Sequence, residues 1–128
     1  MCIRDRGEAI TGDIPAFEKT DKDRKVENKK VGQMTDILPE PVRAEWKALF
    51  EEMEAMETQE ARLYKSLDKL EALIQHNEAD ISTWIPLEYD LQMTYGNEEC
   101  KFTEYIQRLR DEVRKDSKRK IEESKQKD

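Results

Sequence analysis

The sequence is poor in residues that interrupt helices or crosslink a chain. Its 128 residues include four glycines, four prolines, two cysteines and one histidine. Cys2 and Cys100 are too few and too far apart for a disulfide framework, so a reducing cytoplasm is the expected location. No apolar run approaches the roughly 20 residues that a membrane-spanning helix needs. The first six residues also lack the hydrophobic stretch of a signal peptide.

Charge dominates the composition instead. Charged residues make up 41% of the chain and apolar residues 36%, and the net charge is −7. Glu, Lys, Arg, Leu, Met and Ala form helices readily, so this composition favours helices over sheets. An acidic balance argues against a general binder of nucleic acid or membrane surfaces, which would carry a basic excess.

Apolar residues recur at helical spacing through the first half of the chain. Residues 18–33 are mostly charged and are expected to form a helix with one weak buried edge. Pro41 suits the first turn of the next helix. Two apolar stripes follow at three- and four-residue steps: Val42, Trp46, Leu49, Phe50, Met53 and Met56, then Leu63, Leu67, Leu70 and Ile74. Residues 57–60, between the stripes, mark either a break or the interior of one long helix.

The second half continues the pattern. Helical stripes run from Trp84 to Tyr95 and from Phe102 to Val113. Residues 114–128 contain one apolar residue in fifteen and are expected to be a solvated, fraying helix end. No run alternates long enough to predict a strand. The predicted fold is all-α, with one helical domain over residues 1–113 and a charged tail over 114–128.

Three carboxylates lie close together at the start of the chain, on Asp5, Glu8 and Asp13. Asp5 and Glu8 are three residues apart, so on a helix they share a face. Such a pair suits a divalent cation and a bound water, because carboxylate oxygens are metal ligands. The same spacing is common on solvated faces of acidic chains, and Asp13 after Gly12 also suits a turn or a cap. The spacing alone leaves these alternatives open.

Asp68 is the acidic residue that stands out later in the chain. It lies inside a strongly helical run, at the rim of an apolar stripe, where Asp is a poor helix former. It is either a functional carboxylate or a surface residue paired with Lys65 or Lys69. His76 is expected to have a structural role near a helix C-terminus, and Cys100 to be a small, semi-buried residue.

Three segments together resemble a known family. They are GEAITGDIPAF from Gly7, EARLYKSLDKLEALIQHNE from Glu60 and STWIPLEY from Ser82. In this order they resemble the HD-domain phosphohydrolases of the 5′-deoxynucleotidase type, over residues 5–113. The resemblance implies an all-helical, metal-dependent hydrolase of nucleoside 5′-monophosphates, and the chain would correspond to the C-terminal part of that fold.

The resemblance also implies roles for the four carboxylates. In the family, a divalent metal is held by an upstream His, a His-Asp pair and a later helical Asp. The Asp of the pair matches Asp5, and the later Asp matches Asp68. Glu8 matches the acidic residue that handles protons near the leaving group, and Asp13 matches a second acidic residue that helps to order the site.

Two departures from the family pattern bear on activity. The His of the pair falls on Arg4, and the upstream His has no counterpart. A cation at Arg4 repels a metal, so weak metal binding and little or no activity are expected. Residues 1–6 do not resemble a natural helix start, which suggests N-terminal truncation or a sequence splice. Missing helices would leave apolar stripes uncovered and promote self-association into a homo-oligomer.

The competing hypothesis is a non-catalytic, acidic helical interaction protein. Convergence of Asp5, Glu8, Asp13 and Asp68 on one cavity would favour the enzyme lineage. An Asp68 side chain directed to solvent would favour the interaction protein.

Overall fold

The computed structural model describes residues 20–126 together with Ile10, Gly12 and Ile14. In this part of the chain there are five α-helices and two short 3-10 helices, and no strand. The prediction of an all-α fold is confirmed. Two compact units meet in the sequence between Ala55 and Met56, and each is described by itself.

The first unit contains two helices, α1 (Asp21–Asp36) and α2 (Val42–Ala55). Thr20 begins α1 with a capping box, in which its hydroxyl accepts from the Asp23 amide and the Asp23 carboxylate accepts from the Thr20 amide. The helix predicted in the charged segment is therefore confirmed. Its buried edge consists of Glu27, Val31 and Thr35, which recur every four residues and share one face.

Contacts between α1 and α2 include one ion pair. The Lys47 ammonium lies 2.7 Å from Oδ1 of Asp36 and donates a hydrogen bond to it. This bond holds the pKa of Asp36 below its usual value. Within α2, Trp46 and Phe50 pack edge to face, with ring centroids 6.4 Å apart.

The second unit begins with a sharp break after α2. Met56 adopts a positive φ of 56°, which a helix cannot continue. Thr58 then caps α3 (Gln59–Glu78), its hydroxyl accepting from the Ala61 amide at 3.2 Å. Of the two alternatives left open for residues 57–60, the structure has the break.

After α3 come a 3-10 turn (Ile81–Thr83), α4 (Pro86–Thr94), a second 3-10 turn (Glu99–Phe102) and α5 (Glu104–Lys125). Pro86 occupies the first turn of α4, where its missing N–H costs nothing. The core of the unit is formed by five buried residues on α3, the second 3-10 turn and α5: Leu70, Leu73, Cys100, Ile106 and Val113.

Helix α5 extends well past its last large buried residue, Val113. It continues to Lys125, and the Ser117 side chain is completely buried. The predicted division into residues 1–113 and a tail of 114–128 is not tested by these helix bounds and stays a prediction.

No helix in the described ranges is long and apolar enough to cross a membrane.

Candidate functional site

Asp68 lies in the middle of α3, where its side chain is half-buried with 31% of its surface exposed. Ser66 and Leu70 are fully buried, and because each is two residues from Asp68 they lie on the opposite side of α3. Asp68 therefore lies away from the face of α3 that packs on the core of the unit, although it is not fully solvated. Its place at the rim of the apolar stripe stays a prediction.

The two lysines near Asp68 make different contacts. The Lys65 ammonium lies 3.7 Å from Oδ2 of Asp68, one helical turn away. The Lys69 ammonium instead donates to the hydroxyl of Tyr95 at 2.6 Å and lies 4.1 Å from the centre of the Tyr95 ring. Of the two pairings considered from the sequence, the structure has the one with Lys65.

The other three predicted site residues, Asp5, Glu8 and Asp13, lie outside the described residues, as does Arg4. Whether they converge on Asp68 stays a prediction. Across residues 20–126, no three His, Cys, Asp or Glu side chains are grouped closely enough to hold a metal. The described part of the chain thus offers one implied ligand, Asp68, and that ligand is occupied by an ion pair with Lys65.

The corner between α3 and α4 is built around His76. Its Nε2 lies 3.6 Å from Oε1 of Glu88, and its carbonyl oxygen accepts from the indole N–H of Trp84 at 3.1 Å. The other Glu88 oxygen accepts from the amide of Ile85 at 2.7 Å and so caps α4. Trp84 also stacks edge to face on Tyr89 at 5.4 Å. His76 thus contacts side chains that hold the corner together.

A buried polar network joins α3, α4 and α5. The Ser117 hydroxyl lies 2.7 Å from Oδ1 of Asn77 and 3.3 Å from Oε1 of Gln92, and both Ser117 and Gln92 are fully buried. The Asn77 amide donates to the Val113 carbonyl at 3.0 Å. Lys120 donates to the Asn77 carbonyl at 2.8 Å and so satisfies an end of α3. The sequence does not predict this network, because Ser, Asn and Gln are usually exposed and apolar spacing does not identify them.

Two arginines of α5 cap the C-terminus of α4 by donating to its last carbonyl groups. Arg110 donates to the carbonyls of Gln92 at 2.8 Å and Tyr95 at 3.1 Å, and Arg114 donates to that of Met93 at 3.3 Å. Cations are favourable there because the helix dipole places partial negative charge at this end. Burial, followed by the nearby charge of Arg114, lowers the pKa of Arg110, whose Nη1 has no partner among the described residues.

Cys100 is the described cysteine, a free thiol with 1% of its surface exposed. Burial raises the pKa of this thiol, an effect that the charge of Arg110 partly opposes. A protonated, enclosed thiol is a poor nucleophile. Cys100 is therefore a small core residue, buried more deeply than the semi-buried position that the sequence predicts.

A shallow cleft of about 370 Å³ lies between the end of α3 and α5. Its walls include Ile74, Glu78 and Val113, and the charged groups Asp116 and Arg119, which pair with each other at 2.8 Å. Asp68 does not line this cleft. The cleft therefore does not include the one predicted site residue that the structure describes.

The chain is similar to known proteins over most of its length. The model of the family described as "HD domain" matches residues 2–110. Over 78 residues the chain is 36% identical to the 5′-deoxynucleotidase HDDC2 of Mus musculus and of Homo sapiens, which is 59% of this chain and 39% and 38% of those proteins. The same protein of Bos taurus is 33% identical over 78 residues, again 59% of this chain and 38% of that protein.

The chain thus covers less than two fifths of the length of these curated relatives in the matched region. No solved structure matches it significantly. The match at residues 2–110 includes the positions of all four predicted carboxylates. Together with the all-helical architecture, it establishes that this chain belongs to the HD domain family.

Proposed function

We propose that the chain derives from a metal-dependent phosphohydrolase that acts on nucleoside 5′-monophosphates. The observation that carries the proposal is the family match over residues 2–110, joined to the 36% identity with proteins named 5′-deoxynucleotidase. The half-buried Asp68 on α3 supports it, because a partly exposed carboxylate is reachable from solvent. We further propose a cytoplasmic location, in keeping with the free thiol of Cys100.

In this proposal Asp5 and Asp68 are ligands of a divalent cation, whose identity is open. A bound divalent cation polarises phosphoryl oxygens and makes a bound water more acidic. Glu8 protonates or orients the leaving ribose oxygen, a task that needs a carboxyl group within hydrogen-bond reach. Asp13 helps to order the site. These assignments rest on the resemblance and on residue type.

Activity of this chain is proposed to be weak. Arg4 stands where the family has the His of its His-Asp pair, and its guanidinium remains protonated at any relevant pH. A cation next to Asp5 repels a divalent metal and cannot ligate it. One substitution, Arg4→His, therefore restores a ligand and removes the repulsion together.

The test is release of inorganic phosphate from deoxynucleoside 5′-monophosphates with Mn²⁺, Co²⁺ or Mg²⁺ in turn. We expect a slow rate for the chain as it stands, a rate at least about tenfold higher for Arg4→His, and loss of that gain in Arg4→His/Asp68→Asn. Rapid hydrolysis by the unaltered chain would contradict the proposed impairment. An Arg4→His rate that Asp68→Asn leaves unchanged would contradict the role of Asp68.

One observation favours a second candidate, a helical interaction protein. Leu63, Leu67 and Ile74 share a face of α3, and between 38% and 46% of each side chain is exposed. Exposed aliphatic residues on one helical face are typical of an association surface. A mass measurement by light scattering distinguishes the cases: a dimer that Leu67→Glu converts to monomer would support this candidate, and a monomer at high concentration would exclude self-association through this face.

A further inference from the structure

Helix α3 leaves a stripe of aliphatic side chains uncovered. Leu63, Leu67 and Ile74 follow each other at steps of four and seven residues, so they share one face of the helix. Between 38% and 46% of each side chain is exposed, whereas Leu70 on the neighbouring face is buried in the core. The stripe spans about three helical turns, a length that an amphipathic helix of a partner can follow.

The stripe continues into the cleft between α3 and α5. Ile74 is the last residue of the stripe and is also a wall of the cleft, as is Val113 on α5. The apolar stripe therefore ends in a concave surface of about 370 Å³ and not on a flat helix face. We refer to Leu63, Leu67 and Ile74 together with the cleft as the α3–α5 groove.

Acidic residues follow one edge of the stripe. Glu60, Glu71 and Glu78 are spaced by eleven and seven residues, so they share a face of α3, and each is three or four residues from a member of the stripe. All three are exposed. Within the described ranges, Glu71 accepts from the Gln75 amide, and no ion pair involves any of the three glutamates.

The cleft at the end of the groove is also acidic. Asp116 and Glu123 of α5 line it together with Glu78, against the two cations Arg119 and Lys120. Arg119 pairs with Asp116 at 2.8 Å, and Lys120 donates to a carbonyl at the end of α3. Both cations are thus held by groups of the chain itself, and the groove presents an excess of negative charge.

We propose that the α3–α5 groove is a docking site for a basic amphipathic helix of another protein. Aliphatic side chains of that helix cover the stripe, and its Lys or Arg residues face Glu60, Glu71 and Glu78. A second copy of this chain is a poorer occupant, because the chain has a net charge of −7 and a two-fold contact brings one surface onto itself. The inference does not depend on hydrolase activity, and it names a partner for the second candidate function.

The probe is a synthetic helical peptide of about 18 residues, with leucine at steps of four, three and four residues and lysine on the remaining positions. Isothermal titration calorimetry measures its binding to the full chain. We expect a Kd on the order of 10 μM in about 50 mM salt, and at least about fivefold weaker binding in about 500 mM salt. A peptide with glutamate in place of lysine should bind at least about tenfold more weakly.

Variants of the chain locate the binding surface. Leu67→Gln should weaken binding of the lysine peptide by about fivefold or more, because it removes apolar area from the stripe. Glu71→Gln/Glu78→Gln should weaken it by about threefold or more in low salt and by less in high salt. The matched control is Asp90→Asn/Glu122→Gln, which removes the same charge at exposed positions that do not line the cleft. We expect the control to change the affinity by less than about twofold, and circular dichroism establishes that each variant is folded.

The possible outcomes are distinct. No binding of the lysine peptide to the folded chain, or equal binding of the two peptides, would overturn the inference. Equal losses in the control and in Glu71→Gln/Glu78→Gln would overturn it too, since they indicate attraction to net charge alone. A dimer that Leu67→Glu dissociates would show that a second copy covers the stripe, which overturns this inference but supports self-association. Failure of phosphate release affects only the proposed hydrolase function.

Discussion

Ser117 and Asn77 lie 40 residues apart in the sequence, yet the Ser117 hydroxyl is 2.7 Å from Oδ1 of Asn77. The contact joins the middle of α5 to the last turn of α3. Ser117 is completely buried and also lies 3.3 Å from Oε1 of Gln92 on α4. One small hydroxyl therefore connects three helices.

Replacement of Ser117 by alanine tests the importance of this network. The hydroxyl has one proton and donates to one of these acceptors at a time, so the variant removes one buried hydrogen bond, and we expect the free energy of unfolding to fall by about 1–3 kcal/mol. Urea denaturation followed by circular dichroism measures the change. Ser124→Ala is the control, because the Ser124 hydroxyl donates only to the Ile121 carbonyl of its own helix and is half-buried. Equal effects of the two substitutions would contradict the structural role of the network.

The position of Gly96 against α3 leads to a second prediction. Its φ is +70°, and a Cβ at this position would lie 2.7 Å from Cβ of Lys69, which is fixed to the helix backbone. Gly96→Ala combines a left-handed backbone with a steric overlap, and we expect a loss of about 2–5 kcal/mol in unfolding free energy.

The control for that variant is Gly32→Ala. Gly32 lies inside α1, and no atom lies within 4 Å of a Cβ built there. Alanine is the better helix former, so this variant should be more stable by about 0.5–1 kcal/mol. Thermal unfolding of both variants measures the difference. A Gly96→Ala protein as stable as the parent chain would show that α3 does not approach the turn as closely as described.

A third prediction concerns the stability of an Arg110 variant. Arg110→Met removes the donors to the Gln92 and Tyr95 carbonyls at the end of α4, at an expected cost of about 1–3 kcal/mol. Arg108→Met removes an exposed arginine that pairs with Glu104 on the same helix. That control should change stability by less than about 0.5 kcal/mol, as is usual for exposed pairs. Denaturant titration of the two variants side by side measures both changes in the free energy of unfolding. A smaller loss for Arg110→Met than for Arg108→Met would contradict the capping role of Arg110.

The protonation of Cys100 depends on pH, and burial determines the direction in which its pKa is shifted. The pKa of the folded thiol lies above its usual value of 9.0, mainly because burial disfavours the thiolate. The stabilisation that comes from keeping the thiol neutral is therefore complete at lower pH and is lost as the pH rises past 9. In a Cys2→Ser chain at pH 8, we expect iodoacetamide to label Cys100 at least about 100-fold more slowly than in urea, since reaction needs an exposed thiolate. Similar rates in both conditions would contradict the burial of Cys100.

Helix positions were predictable because local signals point the same way. Thr20 and Thr58 provide N-caps, Pro86 fits a first turn, and apolar residues recur at helical spacing. Those signals did not decide between a break after α2 and one long helix through residues 57–60. It depends on Met56, a residue with no intrinsic preference for the positive φ that it adopts.

The polar contacts of the second unit were beyond sequence reasoning. Ser117, Gln92 and Arg110 are ordinary surface residue types, and their burial depends on which helices pack together. For the candidate site, the family pattern identified Asp68, and helical spacing limited its partner to Lys65 or Lys69. The choice of Lys65 followed only once Tyr95 was found to hold Lys69.

The most direct test of the central claim is whether Asp68 ligates a metal. Crystals of the Arg4→His chain grown with Mn²⁺ would be measured near the manganese absorption edge, so that the anomalous signal locates the ion. We predict a peak within about 2.2 Å of an Asp68 carboxylate oxygen, with the Lys65 ammonium moved away from it. Peaks confined to other acidic residues, with Asp68 still paired to Lys65, would contradict the claim and leave Asp68 as a surface carboxylate.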